Sequence, residues 1–197
     1  SYMKPIKCFG DLLIESKKFK NAAHIYTQAI KYNPDKADLY YNLGVVYSMV
    51  NEFSLAKECF EKTIEIDSNF YNSYYRLGQI ALLYRDIESA EKYFTQSLYG
   101  ETEAKSYYQL AKIYIIKNDK NKSGIFINRA IEIESKYYDK AINEPIFFPI
   151  KQIIEKPMNN ETKDVIETDK EKEISEYLDN TYDLTKVLNE KKTKKFK

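Results

Sequence analysis

Apolar positions along the first two-thirds of the chain follow the spacing of amphipathic helices. Apolar side chains recur at i, i+3, i+4 and i+7, which places them on one stripe of a helix. Three polar breaks interrupt the pattern at 16–18 (Ser-Lys-Lys), 51–52 (Asn-Glu) and 85–86 (Arg-Asp), and an apolar residue follows each break. The pattern therefore predicts a succession of short helices, each with one buried face.

The helical pattern repeats at long range. Segment 40–44 (Tyr-Tyr-Asn-Leu-Gly) returns at 74–78 (Tyr-Tyr-Arg-Leu-Gly) after 34 residues and at 107–111 (Tyr-Tyr-Gln-Leu-Ala) after another 33. Gly10 lies 34 residues before Gly44 and adds a first copy. A fixed period of this length is typical of an array of repeated helix pairs.

Each copy continues with small and bulky residues at matching places. A small residue comes twelve positions after the first one, at Ala22, Ala56, Ala90 and Ser123. A bulky apolar residue follows four positions later, at Tyr26, Phe60, Phe94 and Ile127. A further small residue follows at Ala29, Thr63, Ser97 and Ala130. Small residues let two helices approach closely while the bulky one fills the gap beside them, so stacked pairs share one core.

These residues resemble the signature of the tetratricopeptide repeat. The first copy matches it at Gly10, Ala22, Tyr26, Ala29 and Pro34, and the second at Tyr40, Leu43, Gly44, Tyr47, Ala56 and Phe60. The resemblance implies an all-α fold, a right-handed superhelical solenoid of about four antiparallel helix pairs. The predicted repeats span 3–36, 37–70, 71–103 and 104–136, so together they cover residues 3–136.

The last third of the chain departs from the repeat. Residues 137–155 predict a capping helical segment that covers the apolar end of the last pair. An alternative interpretation is a hydrophobic docking surface for a partner or a second copy. Residues 156–170 are polar and predict a linker, and 171–197 predict a charged amphipathic tail helix. We expect that helix to pack on a solenoid, either its own or a neighbour's.

Composition and charge disfavour some classes of function. Hydrophobic residues make up 43% of the 197 residues, and 31 basic residues nearly balance 30 acidic ones. This balance disfavours a nucleic-acid-binding role, which usually needs a basic excess. No apolar run approaches the ~20 residues of a membrane span. Cys8 and Cys59 are far apart, and we expect both to be buried thiols in a reducing compartment, which favours a cytoplasmic location.

Residues suited to catalysis or metal binding are sparse. His24 is the one histidine, and two scattered cysteines with it do not supply a zinc site of the usual kind. No glycine-rich phosphate loop, nucleophile elbow or His-Glu-x-x-His motif occurs. The sequence therefore predicts a protein that is not an enzyme, with no cofactor, no metal and no catalytic residues.

The family resemblance implies that the first helix of each pair lines a concave groove, where a peptide or helix of a partner binds. The second tyrosines of the doublets are expected to form a ladder there, and the first ones, Tyr40, Tyr74 and Tyr107, to lie in the core. The expected groove residues are Lys7, Tyr41, Asn42, Tyr75, Arg76, Gln79, Tyr108, Gln109 and Lys112. Aromatic area with a few polar donors suits a peptide ligand. The alternative is that these tyrosines only pack between adjacent first helices.

One sharper hypothesis concerns chaperone tails. Some family members bind the acidic C-terminus of heat-shock chaperones with two lysines, two asparagines and an arginine. Lys7, Asn42 and Arg76 match that set, but Asp11 and Asn72 stand where asparagine and lysine are expected. A carboxylate at Asp11 would repel the ligand carboxylate. The resemblance therefore gives this ligand little support.

The sequence favours a scaffold or adaptor that binds a protein or peptide of unidentified kind. The alternative is a structural module that self-associates, a homo-oligomer formed through the solenoid ends, the cap or the tail. A third possibility is a targeting or regulatory fragment of a larger enzyme. The tail is also a rival occupant of the groove.

Overall fold

A computed structural model describes residues 3–156, with side chains from residue 6 onward. The described residues form nine α-helices and one 3₁₀ helix and contain no strand. The elements are α1 (Met3–Glu15), α2 (Phe19–Tyr32), α3 (Ala37–Met49), α4 (Phe53–Ile66), α5 (Tyr71–Leu83), α6 (Ile87–Ser97), α7 (Glu103–Ile116), α8 (Lys120–Ile133), α9 (Lys136–Asn143) and a 3₁₀ helix (Pro145–Ile153). The predicted all-α class is confirmed.

Consecutive helices pack as pairs, α1 with α2, α3 with α4, α5 with α6 and α7 with α8, and each pair also packs on the next. The turn inside each pair contains one residue with a positive φ of 55° to 62°, at Lys17, Asn51, Arg85 and Asn118. The following amide donates to the carbonyl five residues before it, as from Glu52 to Tyr47 at 2.9 Å. A left-handed residue with this hydrogen bond ends a helix sharply. The polar breaks in the sequence are these turns.

The centre of each pair combines a small residue on the first helix with a bulky one on the second. A Cβ added to Gly44 would lie 2.8 Å from the Phe60 ring, and one added to Gly78 would lie 2.9 Å from the Phe94 ring. Glycine is required at these two positions because the helix backbone lies directly against an aromatic ring. In the fourth pair the small residue is alanine and the bulky one is Ile127.

Contacts between pairs use a second set of apolar residues on the first helices. Their side chains are buried in the second, third and fourth pairs, at Leu43 and Val46, Leu77 and Ile80, and Leu110 and Ile113. In α1 the equivalent residues are Phe9 and Leu12, which are 50% and 55% exposed. Among the described residues no helix packs on this side of α1.

The prediction for the cysteines is correct for one thiol only. Cys59 is buried in α4, but Cys8 is exposed. Cys8 holds on α1 the repeat position of Asn42, Arg76 and Gln109, none of which is buried. The prediction of a buried Cys8 was therefore wrong, because this repeat position lies on the surface of each first helix and not in the core.

The chain after α8 folds back over the last pair. Tyr137 and Ala141 of α9 and Phe147 and Ile150 of the 3₁₀ helix are buried. The side chain of Asn128 fixes the end of this segment, since it donates to the carbonyl of residue 153 at 3.0 Å and accepts from the amide of residue 155 at 2.9 Å. All described helices belong to the first of two units of the chain, Ser1–Glu155. The predicted linker beyond Lys156 and the predicted tail helix lie outside the described residues.

Candidate functional site

The nine residues predicted to line a groove all lie on the first helices α1, α3, α5 and α7. We call the surface formed by these four helices the first-helix face. Residues at one repeat position follow each other along it. One such row contains Lys7, Tyr41, Tyr75 and Tyr108, and the neighbouring row contains Asn42, Arg76 and Gln109.

Tyr41 and Tyr75 combine packing with partial exposure. The Tyr41 ring lies 5.6 Å from that of Phe60 and 4.9 Å from that of Phe70, and the Tyr75 ring lies 5.5 Å from that of Phe94. Both tyrosines remain half-buried. Each ring therefore rests on the second helix of its own pair and still has surface left for a ligand.

The first tyrosines of the doublets differ between repeats. Tyr107 is 4% exposed and belongs to the core, whereas Tyr40 and Tyr74 are only half-buried. The expectation that all three lie in the core is thus met by Tyr107 alone. The Tyr107 ring stacks on the Phe126 ring of α8, with 5.9 Å between the ring centroids.

Arg76 is a half-buried cation on the first-helix face. Its Nη1 donates to Oε1 of Gln79 at 3.3 Å, and among residues 6–156 it has no carboxylate partner. Asn42 is half-buried one repeat earlier, and Lys7 is exposed at the start of the face. This part of the surface offers a guanidinium and side-chain amides to an acceptor from outside.

Tyr108 and Lys112 occupy the other end of the face, where the chain itself covers them. Nζ of Lys112 donates to Glu144 at 2.7 Å, and the Tyr108 hydroxyl donates to the other oxygen of that carboxylate. The Tyr108 ring also packs 4.9 Å from Tyr137 and 5.4 Å from Phe147, and only 1% of the side chain is exposed. The two groups are therefore already bound to the segment that follows α8.

The pKa values of Tyr108 and Glu144 are shifted by their burial and by the hydrogen bonds between these side chains and Lys112. Burial raises the pKa of Tyr108, and the hydrogen bond to Glu144 raises it further. Burial also acts to raise the pKa of Glu144, but the hydrogen bonds from Lys112 and Tyr108 outweigh it and hold that pKa below its ordinary value. The carboxylate therefore carries its negative charge at neutral pH and stays paired with Lys112.

Sequence reasoning missed two features of the first-helix face. One is Glu144, which lies 32 and 36 residues after its partners and outside the repeat pattern. The other is a row of exposed apolar residues, Met49, Leu83 and Ile116, in the last turns of α3, α5 and α7. The signal for this row is present in the sequence, because each member follows the small residue of its repeat by five positions.

In the part of the chain that the structure describes, no group of three or more histidine, cysteine, aspartate or glutamate side chains is arranged to hold a metal ion. None of the described helices is long and apolar enough to cross a bilayer.

Family models match most of the repeat region. A model described as "TPR repeat" matches residues 10–50, and models described as "Tetratricopeptide repeat" match 37–70, 71–99 and 104–137. These matches follow the helix pairs from α1 to α8. The resemblance seen in the sequence is confirmed.

Curated relatives share part of this region. Small glutamine-rich tetratricopeptide repeat-containing protein 2 of Saccharomyces cerevisiae is 33% identical over 73 residues, which are 37% of this chain and 21% of the relative. Hsp70-Hsp90 organizing protein 2 of Arabidopsis thaliana is 27% identical over 89 residues, which are 45% of this chain and 16% of the relative. The match thus spans about a fifth or less of each relative.

Solved structures share the fold at low identity. The chain superposes on MamA with a TM-score of 0.64 and 20% identity, over 74% of this chain and 85% of MamA. It matches YrrB, described as a TPR protein with an unusual peptide-binding site, with a TM-score of 0.62 and 20% identity, over 77% and 79% of the two chains. The first TPR of Spaghetti (RPAP3), bound to the HSP90 peptide SRMEEVD, gives 0.54 and 20%, over 57% and 90%. These similarities establish a solenoid of helix pairs.

Proposed function

The chain belongs to the tetratricopeptide repeat family, and from this we propose that it is a non-enzymatic scaffold or adaptor that binds a peptide or helix of a partner. Repeats of this family mediate protein–protein interaction. The observation that carries the proposal is Arg76, a half-buried guanidinium on the first-helix face whose partner is the neutral amide of Gln79. A guanidinium in such a place binds a carboxylate or carbonyl with geometric selectivity.

The proposed groove is the part of the first-helix face that residues 6–156 leave uncovered. Its residues are Lys7, Tyr41, Asn42, Tyr75, Arg76, Gln79 and Gln109, all exposed or half-buried. Tyr108 and Lys112 hold the end of the groove through Glu144 and do not contact the ligand. Half-exposed tyrosines beside fixed polar donors form a surface suited to a peptide.

Two residues of the first-helix face, Asp11 and Asn72, disfavour the acidic chaperone peptides that some relatives are named for. The RPAP3 neighbour is described with an acidic HSP90 peptide, and other relatives are named Hsp70-Hsp90 organizing proteins. In this chain Asp11 is exposed on the same face and Asn72 replaces a cation. We therefore propose a peptide partner other than a chaperone C-terminus.

The test is an affinity capture from cells of the source organism with three baits, compared by quantitative mass spectrometry. Arg76→Glu should lose the partner that the wild-type chain retains, because a carboxylate replaces the guanidinium. Lys92→Glu is the matched control, since Lys92 is exposed on the second helix α6 and undergoes the same charge reversal. A partner retained equally by all three baits would show that the groove is not the binding site.

A second candidate function is self-association through the N-terminal end of the array. Phe9 and Leu12 expose on α1 the surface that equivalent residues bury in later pairs. The other end of the array is covered by Phe147 and Ile150, so it offers no free helix for head-to-tail stacking. A second copy would therefore pair α1 with α1 across a two-fold axis. Light scattering should show a concentration-dependent mass that Leu12→Gln abolishes, and a constant monomer mass would exclude this candidate.

A cytoplasmic location stays a prediction from cysteine usage. Both cysteines are free, and Cys8 is exposed. Free exposed thiols persist in reducing compartments. Fluorescence microscopy of the tagged chain in the source organism tests the location directly.

A further inference from the structure

The hydroxyl of Tyr26 is a buried polar group with no hydrogen-bond partner among the described residues. Tyr26 is 0% exposed, and the hydroxyl end of its ring lies directly against the backbone of α1 at Gly10, where an added Cβ would clash with it. The equivalent residues of the next two pairs are Phe60 and Phe94, which fill the same place without a hydroxyl. Packing therefore does not require the hydroxyl, and an unpaired buried hydroxyl costs stability.

Two carboxylates of the first-helix face flank this hydroxyl. Asp11 follows Gly10 on α1. Asp38 precedes Leu39 on α3, and the Leu39 side chain packs in the same core cluster as the Tyr26 ring. Burial raises the pKa of Tyr26 to about 12, and the nearby charges of Asp11 and Asp38 add to the increase. Asp11 is exposed and Asp38 is half-buried, so a group from outside reaches both carboxylates.

The two carboxylates have no ion-pair partner among residues 6–156. Lys7, one turn before Asp11, is exposed and forms no salt bridge with either of them. Lys36, two residues before Asp38, pairs instead with Asp35 at 3.7 Å. The charges of Lys7, Asp11 and Asp38 therefore leave a net negative charge beside the unpaired hydroxyl.

The hydroxyl and the two carboxylates occur together only where the first two pairs meet. In the later pairs the bulky residue that replaces Tyr26 carries no oxygen. The residues equivalent to Asp11 and Asp38 are no longer acidic, and they are Val45, Gln79 and Lys112 for the first and Asn72 and Lys105 for the second. The repeat itself therefore does not account for this combination of oxygen atoms.

We propose that Asp11, Asp38 and Tyr26 form a subsite for the ammonium group of a lysine side chain of the partner. This proposal rests on the groove proposed above and assigns a cation to its N-terminal end. An ammonium has three N–H donors, which match the phenol oxygen and one oxygen from each carboxylate. The phenol oxygen is enclosed in the free chain, so binding includes a rearrangement of the side chains around it.

An ammonium fits these groups better than a metal ion or a guanidinium does. Among the described residues the two carboxylates belong to no cluster of three or more side chains that could hold a metal ion, and calcium takes about six to eight oxygen ligands. A guanidinium is planar and pairs best with the two oxygens of one carboxylate. Here the acceptors come from three helices, Asp11 from α1, Tyr26 from α2 and Asp38 from α3.

The subsite gives the groove a direction. Asp11 and Asp38 lie on the first helices of the first two pairs, whereas Arg76 lies on that of the third. The groove thus attracts a positive charge at its N-terminal end and a negative charge farther along. A partner segment that contains a lysine and an acidic residue binds in one orientation, because the reverse orientation puts like charges together.

The experiment titrates N-acetyl-lysine amide, with N-acetyl-norleucine amide as its uncharged control, into the ¹⁵N-labelled full chain at low salt. The amide signal of Gly10 is the reporter, because Gly10 lies against the Tyr26 hydroxyl and the chain has only five glycines. The test variants are Asp11→Asn, Asp38→Asn and Tyr26→Phe. Asp35→Asn is the matched control, since Asp35 is exposed and lies three residues from Asp38. Parallel titrations with N-acetyl-arginine amide and with calcium chloride identify the class of cation.

We expect the lysine amide to shift the Gly10 signal until it saturates, and each test variant to weaken that binding about threefold. Asp35→Asn should bind as the wild type does, and the norleucine amide should leave the signal in place. A Gly10 signal that does not shift, that shifts equally with the norleucine amide, or that is unaffected by the three test variants would overturn the subsite. Tighter binding of calcium or of the arginine amide would overturn its assignment to a lysine.

Failure of the subsite and failure of the groove give different results. No Gly10 response, together with loss of the captured partner by Arg76→Glu, would overturn the subsite and retain the groove. A saturable Gly10 response, together with unchanged capture by Arg76→Glu, would retain the subsite as a lysine site and overturn the groove as the place where the partner binds.

Discussion

Oε1 of Glu144 lies 2.7 Å from Nζ of Lys112, so a residue that follows the four repeats forms an ion pair with the first helix of the fourth pair, α7. Its second oxygen accepts the hydroxyl of Tyr108. This contact positions α9 and the 3₁₀ helix over the fourth pair, where Phe147 and Ile150 are fully buried. The same contact removes two side chains from the proposed groove.

The Glu144 contact predicts a pH-dependent contribution to stability. The pKa of Glu144 is lower in the folded chain than its ordinary value of 4.5. The contact therefore stabilises the fold at pH values above 4.5 and is lost as the pH falls through the lower folded-state pKa. Glu144→Gln should reduce the free energy of unfolding by about 1 kcal/mol at neutral pH.

The measurement is urea unfolding of both proteins at several pH values. The difference between wild type and Glu144→Gln should shrink toward zero on acidification below 4.5. Glu65→Gln, at an exposed pair with Lys62 on α4, controls for the loss of one surface carboxylate. A difference that is constant with pH would contradict the assigned ion pair.

The small residue and the bulky residue at the centre of each pair are in contact, so substitutions at Gly44 and Phe60 should have non-additive effects on stability. Gly44→Ala puts a methyl group 2.8 Å from the Phe60 ring, and overpacking of this kind costs about 1–3 kcal/mol. Gly44→Ala with Phe60→Ile recreates the alanine and isoleucine of the fourth pair. The double variant should be more stable than the sum of the single effects, as measured by a double-mutant cycle in urea. Additive single effects would contradict the packing.

Tyr26 predicts a stabilising substitution. It is fully buried, and its hydroxyl has no hydrogen-bond partner among the described residues. Burial raises its pKa to about 12, so the phenol is neutral at physiological pH. Tyr26→Phe should raise the free energy of unfolding by about 1 kcal/mol, because an unpaired buried hydroxyl is removed. Phe60→Tyr at the same repeat position is the reciprocal control and should lower it, both measured by thermal unfolding.

Substitutions at Asp11 and Asn72 should give the chain affinity for an acidic chaperone peptide that the wild type does not bind. The wild-type chain should not bind SRMEEVD, the peptide of the RPAP3 neighbour, at low salt. Asp11→Asn removes an exposed negative charge and Asn72→Lys adds a cation, so the double variant should bind it at least about tenfold more tightly, a change of about 1.4 kcal/mol. Titration calorimetry measures both affinities. Tight binding by the wild type would replace the proposed ligand class with chaperone tails.

The sequence by itself determined the features that depend on local spacing. The stripe of apolar residues predicted the helices, and the small and bulky positions predicted which helix faces meet, as at Gly44 and Phe60. The period predicted how pairs stack, because each copy must bury the same surface on its neighbour. Because the same pattern occurs in each of the four copies, the interpretation of one copy is supported by the other three.

Tertiary structure decided what covers each position of the repeat. Tyr41 and Tyr108 hold one repeat position, yet the first is half-buried and the second is enclosed by Tyr137, Phe147 and Glu144. Likewise Leu43 is buried and Phe9 exposed at equivalent places. A repeat pattern describes each helix pair alone, whereas burial depends on the neighbour on either side, and at the two ends of the array the neighbours differ.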